Sequence, residues 1–190
     1  MYEKIIVDAD LCIKLGSSEK YLFLKDVLPL LACNIYIHSQ AFHEVLFPES
    51  ARRQLEELIS EEKVIVVNET ELRPEERCIY DMTYKKLADV MTDPCRPNKN
   101  KGEVCSLAYA KVKAIPIFAT DERDLQLIID SQLNTGMNDI HCLRIIDIIN
   151  LAQNGKINLS RKMAKAIWVI SGKNKEDFDS EIWPLLTETI

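Results

Sequence analysis

The sequence predicts a three-layer α/β/α sandwich with a mostly parallel central sheet over residues 1–155, followed by a C-terminal helical extension over residues 156–190. Three observations predict it. Short apolar runs (Lys4 to Val7, Asn34 to His38, Ile115 to Ala119, Ile140 to Leu143) alternate with longer amphipathic segments, the pattern of parallel strands joined by helical crossovers. The first run, KIIVD, is continuously apolar, as expected of a strand covered on both faces. A hydrophobic content of 47% over 190 residues is enough for one compact core.

Taken in order, Lys4 to Asp8 is the first strand and ends in a carboxylate, with Asp10 two residues on. Glu19 to Leu31 carries Tyr21, Leu22, Leu24, Val27, Leu28 and Leu31, a broad apolar face suited to a crossover helix. Asn34 to His38 is the second strand, and Ser39 is a natural cap for a helix from Gln40 to Phe47 that holds Glu44. Pro48 stops it. Glu49 to Ile59 is amphipathic, with Arg52 and Arg53 opposite its apolar side, and Val64 to Val67 is a β-branched strand. Pro74 opens a long helix to Met91, after which the loop TDPCRPNKNK carries Arg96, Lys99 and Lys101.

The stretch KGEVCSLAYAKVKAIPIFATDERDL then reads as helix, buried strand and the start of another helix. Gly102 is a tolerable N-cap there, and Glu103 sits in the first turn, where a carboxylate gains from the helix dipole. Pro116 is acceptable only near the start of its strand or at an edge. Thr120 and Asp121 sit at the strand's end, and Asp121 reads equally as an N-cap or as a functional acid. Helices over Leu125 to Leu133 and Arg144 to Leu151 bracket the last strand. The extension carries two helical segments, one with Met163, Ile167 and Trp168 and the other with Phe178, Ile182 and Trp183, divided by Gly172. Two tryptophans suit docking on the body or on a partner.

With 24 basic and 30 acidic residues, the net charge of -6 argues against nucleic-acid binding through a globally positive surface and leaves room for a local basic rim. No run reaches membrane-spanning length, and MYEKIIVDAD lacks the regions of a signal peptide, so a cytoplasmic location is expected. The six cysteines are dispersed without a C-x-x-C pair, which suggests neither a zinc site nor a disulfide framework. His38 and His43 have no spacing partner and read as ordinary core or surface residues.

Four acids therefore occupy comparable places: Asp8 after the first strand, Glu44 inside a helix, Glu103 at a helix start and Asp121 after a later strand. Strand ends and helix starts share one edge of a parallel sheet. Carboxylates gathered there repel and raise one another's pKa unless a hard divalent cation holds them, and Mg2+ or Mn2+ fits an all-oxygen set.

On the segments IIVDADLCIKL, HSQAFHEVL, GEVCSLAYA and FATDERDL, in that order, the chain resembles the PIN-domain family of metal-dependent ribonucleases, above all the toxins of bacterial toxin/antitoxin pairs. The resemblance covers about residues 1–150. It implies an endoribonuclease whose metal-binding acids are Asp8, Glu44, Glu103 and Asp121. Asp124 would be a fifth acid, and Thr120, Asp10 and Ser39 would support the others. It implies an RNA substrate, products with a 5'-phosphate and a 3'-hydroxyl, an inhibitory antitoxin protein and a homodimer. Arg96, Lys99, Lys101, Arg123, Arg52 and Arg53 are the candidates for contacts to the RNA backbone. The chain departs from the pattern in Asp10 and in the helical extension.

Two other readings stay open. Asp8-x-Asp10 after an apolar strand also begins haloacid-dehalogenase-type phosphatases, with Asp8 as nucleophile and Asp10 as acid/base, although Cys12 stands where a small hydroxyl is preferred and Glu44 and Glu103 would have no role. The third reading is a non-catalytic PIN-like module that binds RNA or protein.

Overall fold

The computed structural model describes residues 1–184 apart from residues 94, 97 and 98. Five strands, β1 (Tyr2–Val7), β2 (Ala32–His38), β3 (Ile65–Val67), β4 (Ile117–Ala119) and β5 (His141–Leu143), form one sheet in the order β3-β2-β1-β4-β5. Every neighbouring pair is parallel. The helices are α1 (Ala9–Gly16), α2 (Phe23–Leu31), α3 (Ser39–Glu44), α4 (Glu49–Ser60), α5 (Pro74–Met91), α6 (Lys101–Val112), α7 (Leu125–Gln132), α8 (Ile145–Gln153) and α9 (Arg161–Ile170). A short helical turn, Lys175–Asp177, runs into a π-helical turn, Phe178–Ile182.

The alternation of side chains along β1 builds the three layers. Ile5 and Val7 face one core, shared with α1, α2, α4, α8 and α9, whereas Ile6 faces the other, shared with α5, α6 and α7. The expected sandwich is therefore present, and its sheet is wholly parallel. The chain runs from β1 outward to β2 and β3, then crosses to β4 and β5 on the opposite side. A crevice opens at such a reversal, outside the carboxyl ends of the strands. The Asp8 N–H donates to the Ala119 carbonyl at 2.9 Å, so β1 and β4 end level and Asp8 and Thr120 face the same crevice.

Three local expectations change. The helix expected over Glu19 to Leu31 begins only at Phe23, and a separate helix, α1, precedes it. The cause is Asp8, whose Oδ1 accepts from the Ala9 N–H at 2.7 Å and starts a helix that buries Leu11, Cys12 and Leu15. Gly16 lets α1 lie against α4, since a Cβ there would come within 2.4 Å of Ala51 Cα. Ser39 is not the cap of α3: the buried His38 ring accepts from the Gln40 N–H through Nδ1 at 3.1 Å, and Ser39 lies inside the first turn. Gly102 is likewise inside α6, whose N-cap position is Asn100.

The extension is not a separable appendage. Ile157, Leu159, Ala164, Ile167, Trp168 and Phe178 are buried in the same core as α1, α2 and α8. Its last residues, 185–190, lie outside the described residues. Among the described residues no helix is long and apolar enough to cross a membrane.

Candidate active site

Asp8 stands at the carboxyl end of β1, as the N-cap of α1. Only 1% of it is exposed. Its Oδ1 holds the Ala9 N–H, and its Oδ2 accepts from Thr120 Oγ1 at 3.3 Å. Burial above all, followed by the charges of Glu103, Asp10 and Glu122, pushes its carboxyl well above the usual range, against the opposing pull of the Ala9 N–H. Thr120 is fully buried at the end of β4, where it also accepts from the Glu122 N–H. It thus ties the loop after β4 to Asp8.

Glu103 reaches the crevice from the first turn of α6. One of its carboxylate oxygens, Oε2, is buried without a hydrogen-bond partner. Burial again comes first and, with Glu122, Glu44 and Asp10, pushes its pKa up to about 7, although its own backbone N–H works in the other direction. Glu44, at the end of α3, accepts from Gln40 Nε2 at 3.1 Å and lies directly against α6. A Cβ on Gly102 would stand 2.5 Å from Glu44 Oε2, so glycine at this place admits the Glu44 carboxylate beside Glu103. His38, the cap of α3, sets the direction of that helix and hence of Glu44.

Asp121 does something other than expected. Its carboxylate turns to Lys14 of α1 (3.1 Å), to Lys173 of the extension and to the Ile145 N–H at the start of α8 (3.3 Å). Burial works to raise its pKa, but Lys173 and Lys14 outweigh burial and hold the carboxyl below its ordinary value. The charge of its exposed neighbour Glu122 adds, with that of Asp10, to the upward push on Asp8 and Glu103. Asp121 thus joins the lysines. Asp10 stands at the boundary, because Lys14 bridges it (2.8 Å) to Asp121. Asp124 is exposed at the N-cap position of α7 and makes no side-chain capping bond.

Among the described residues no three carboxylates, histidines or cysteines converge closely enough to form a ready coordination sphere. The donor chemistry nevertheless suits a hard cation. The group is all carboxylate, one of its oxygens is buried and unpartnered, and Asp8 and Glu103 are both strained toward protonation. The phosphatase reading gains no support from the geometry, since it gives no role to Glu103 with its unpartnered Oε2 or to Glu44 beside the start of α6.

The expected basic rim is dispersed. Arg52 lies over the Phe42 ring at 3.7 Å and bonds the Phe42 carbonyl and Glu56, which makes it a strut between α3 and α4. Lys101 lines a separate 180 Å³ cavity with Glu69 and Arg77. Arg53, Arg96 and Lys99 are exposed. Only Arg123 borders a cleft next to the acids, and Lys14, Arg144 and Lys173, which the sequence did not single out, border it too. No protein-family model, no curated protein and no solved structure matches this chain.

Proposed function

We propose that this protein is a divalent-metal-dependent endoribonuclease that hydrolyses RNA phosphodiester bonds in the crevice between the ends of β1 and β4. One observation carries the reading: Asp8 is buried beside Glu103, whose Oε2 has no partner, at the point where the strand order reverses. Buried like charges are costly, and a Mg2+ or Mn2+ ion held by Asp8, Glu103 and Glu122, with Asp10 and Glu44 close by, removes that cost. When bound, the ion supplies Lewis acidity to the phosphoryl group and lowers the pKa of an attacking water.

The chain's own residues do the positioning. Thr120 and the Ala9 N–H fix Asp8 in one orientation, so its carboxylate loses little freedom on taking up a ligand. Gly102 keeps Glu44 against the start of α6, and Gln40 holds its other side. Asp121, neutralised by Lys14 and Lys173, anchors the loop after β4 to α1 and to the extension. The narrower assignment, to the toxin of a toxin/antitoxin pair with an inhibitory protein partner, is supported by the sequence resemblance.

The test is direct. Purified protein is incubated with end-labelled single-stranded RNA, with manganese and with EDTA, alongside Asp8→Asn. The reading expects internal cleavage, 5'-phosphate products, and activity that EDTA and Asp8→Asn both abolish. Cleavage that survives either one overturns it.

A further inference from the structure

A cleft bordered by Lys14 and Asp121 gathers positive charge from four separate segments of this acidic protein. It has a volume of 380 Å³ and is bordered by Lys14 from α1, Arg123 from the loop after β4, Arg144 at the end of β5 and Lys173 from the extension. Four cations thus face one lining carboxylate, Asp121, in a chain whose net charge is -6. Two further carboxylates touch this set from outside: Asp10 on Lys14 at 2.8 Å and Asp147 near Arg144 at 3.8 Å. Asp121 satisfies Lys14 and Lys173 only in part, because an ammonium group has three donors. Arg123 is exposed and has no carboxylate partner among the described residues, which leaves a guanidinium fork for an anion.

The wall of the cleft tells what kind of anion. Trp168 is only 8% exposed and Lys173 Nζ lies over its ring at 5.4 Å, so it leaves little free face on which a base could stack. The site reads charge and not base identity. Lys14 links the cleft to Asp10, since it touches both Asp10 and Asp121. A chain of phosphates entering the acid crevice would pass directly to these cations.

We propose that this cleft binds backbone phosphates of the single-stranded RNA next to the bond that is cut, with Arg123 and Arg144 as the main contacts and Lys14 and Lys173 setting the field. The extension is then part of the substrate site, since Lys173 comes from it. The proposal rests on the nuclease reading for the identity of the strand, but its binding step needs no metal.

The experiment measures binding of a fluorescent single-stranded RNA by anisotropy in EDTA across a salt series, for wild type, Arg123→Gln, Arg144→Gln, the double variant and Glu103→Gln. Neither arginine holds Asp121, and Arg144→Gln keeps the backbone N–H that Asp147 accepts, so these proteins retain their fold by circular dichroism. Each arginine variant is expected to bind more weakly to all sequences alike, with the salt slope reduced by about 0.7 per lost phosphate contact and by twice that in the double variant. Glu103→Gln, which removes a repelling charge from the crevice, is expected to bind at least as tightly as wild type. An unchanged slope in the double variant, absence of RNA binding by wild type, or a nucleoside monophosphate that binds as tightly as the strand overturns the proposal. Failure of the nuclease reading shows separately, as an intact RNA in manganese despite the predicted slopes.

Discussion

Replacing Glu103 with glutamine should stabilise the metal-free protein, and the gain should depend on pH in a defined way. Glu103 is raised from an ordinary 4.5 to about 7 by burial and by Glu122, Glu44 and Asp10. The folded protein therefore holds this proton to higher pH than the unfolded chain does, and stability falls as pH climbs from 4.5 through 7. A rise of that size corresponds to about 3 kcal/mol against folding once Glu103 is ionised, reduced to about 2 kcal/mol because part of the side chain meets solvent. The substituted glutamine would not ionise, and its amide could donate to the neighbouring carboxylates. In EDTA at pH 8 Glu103→Gln should melt roughly 4–8 °C above wild type, by the usual scaling for a chain of this size, and the two should converge near pH 4.5. Thermal melts by circular dichroism at pH 5, 6, 7 and 8 read this out. A variant that melts below wild type at pH 8, or a difference that does not change with pH, would refute the claim that these acids are held together under strain.

Asp121→Asn should behave in the opposite sense, losing about 1–3 kcal/mol near neutral pH because Lys14 and Lys173 keep their charge without its carboxylate. Its depressed pKa means that this stability is present above the ordinary carboxylate value of 3.8 and disappears as pH falls through the folded value, so urea melts of wild type and variant should converge in acid. Gly102→Ala should leave the melting temperature unchanged or slightly higher, since alanine favours a helix by about 1 kcal/mol and the clashing Glu44 carboxylate can swing away. Its RNA cleavage in manganese should nevertheless fall at least tenfold, and full activity would show that Glu44 needs no fixed place.

Much of the fold was legible because strand and helix periods are local. Ile5, Ile6 and Val7 announce a strand buried on both faces, and the first-turn position of Glu103 followed from the helical spacing of Val104, Leu107, Ala108 and Val112. What was not legible was decided at long range. Asp121 and Glu122 are both carboxylates at a strand end. Asp121 is held by lysines 107 and 52 residues away in sequence, neither marked by any motif. The boundary of α1 was missed for a related reason: IIVDADLCIKLG is apolar on both sides of Asp8, so periodicity alone does not show where strand becomes helix. Arg52 read as a solvent-facing charge because its stacking on Phe42 depends on how α3 meets α4.

The central claim is that the acids at the ends of β1 and β4 form a cation site, and thermal shift with added manganese tests it most directly. Wild type should gain on the order of 2.7 kcal/mol at a hundredfold excess of free manganese over the dissociation constant. Asp121→Asn should start lower but show the same gain, because its carboxylate serves the lysines. Asp8→Asn, Glu103→Gln and Glu122→Gln should each lose most of it. An equal manganese response in all five proteins, or a loss confined to Asp121→Asn, would contradict the account.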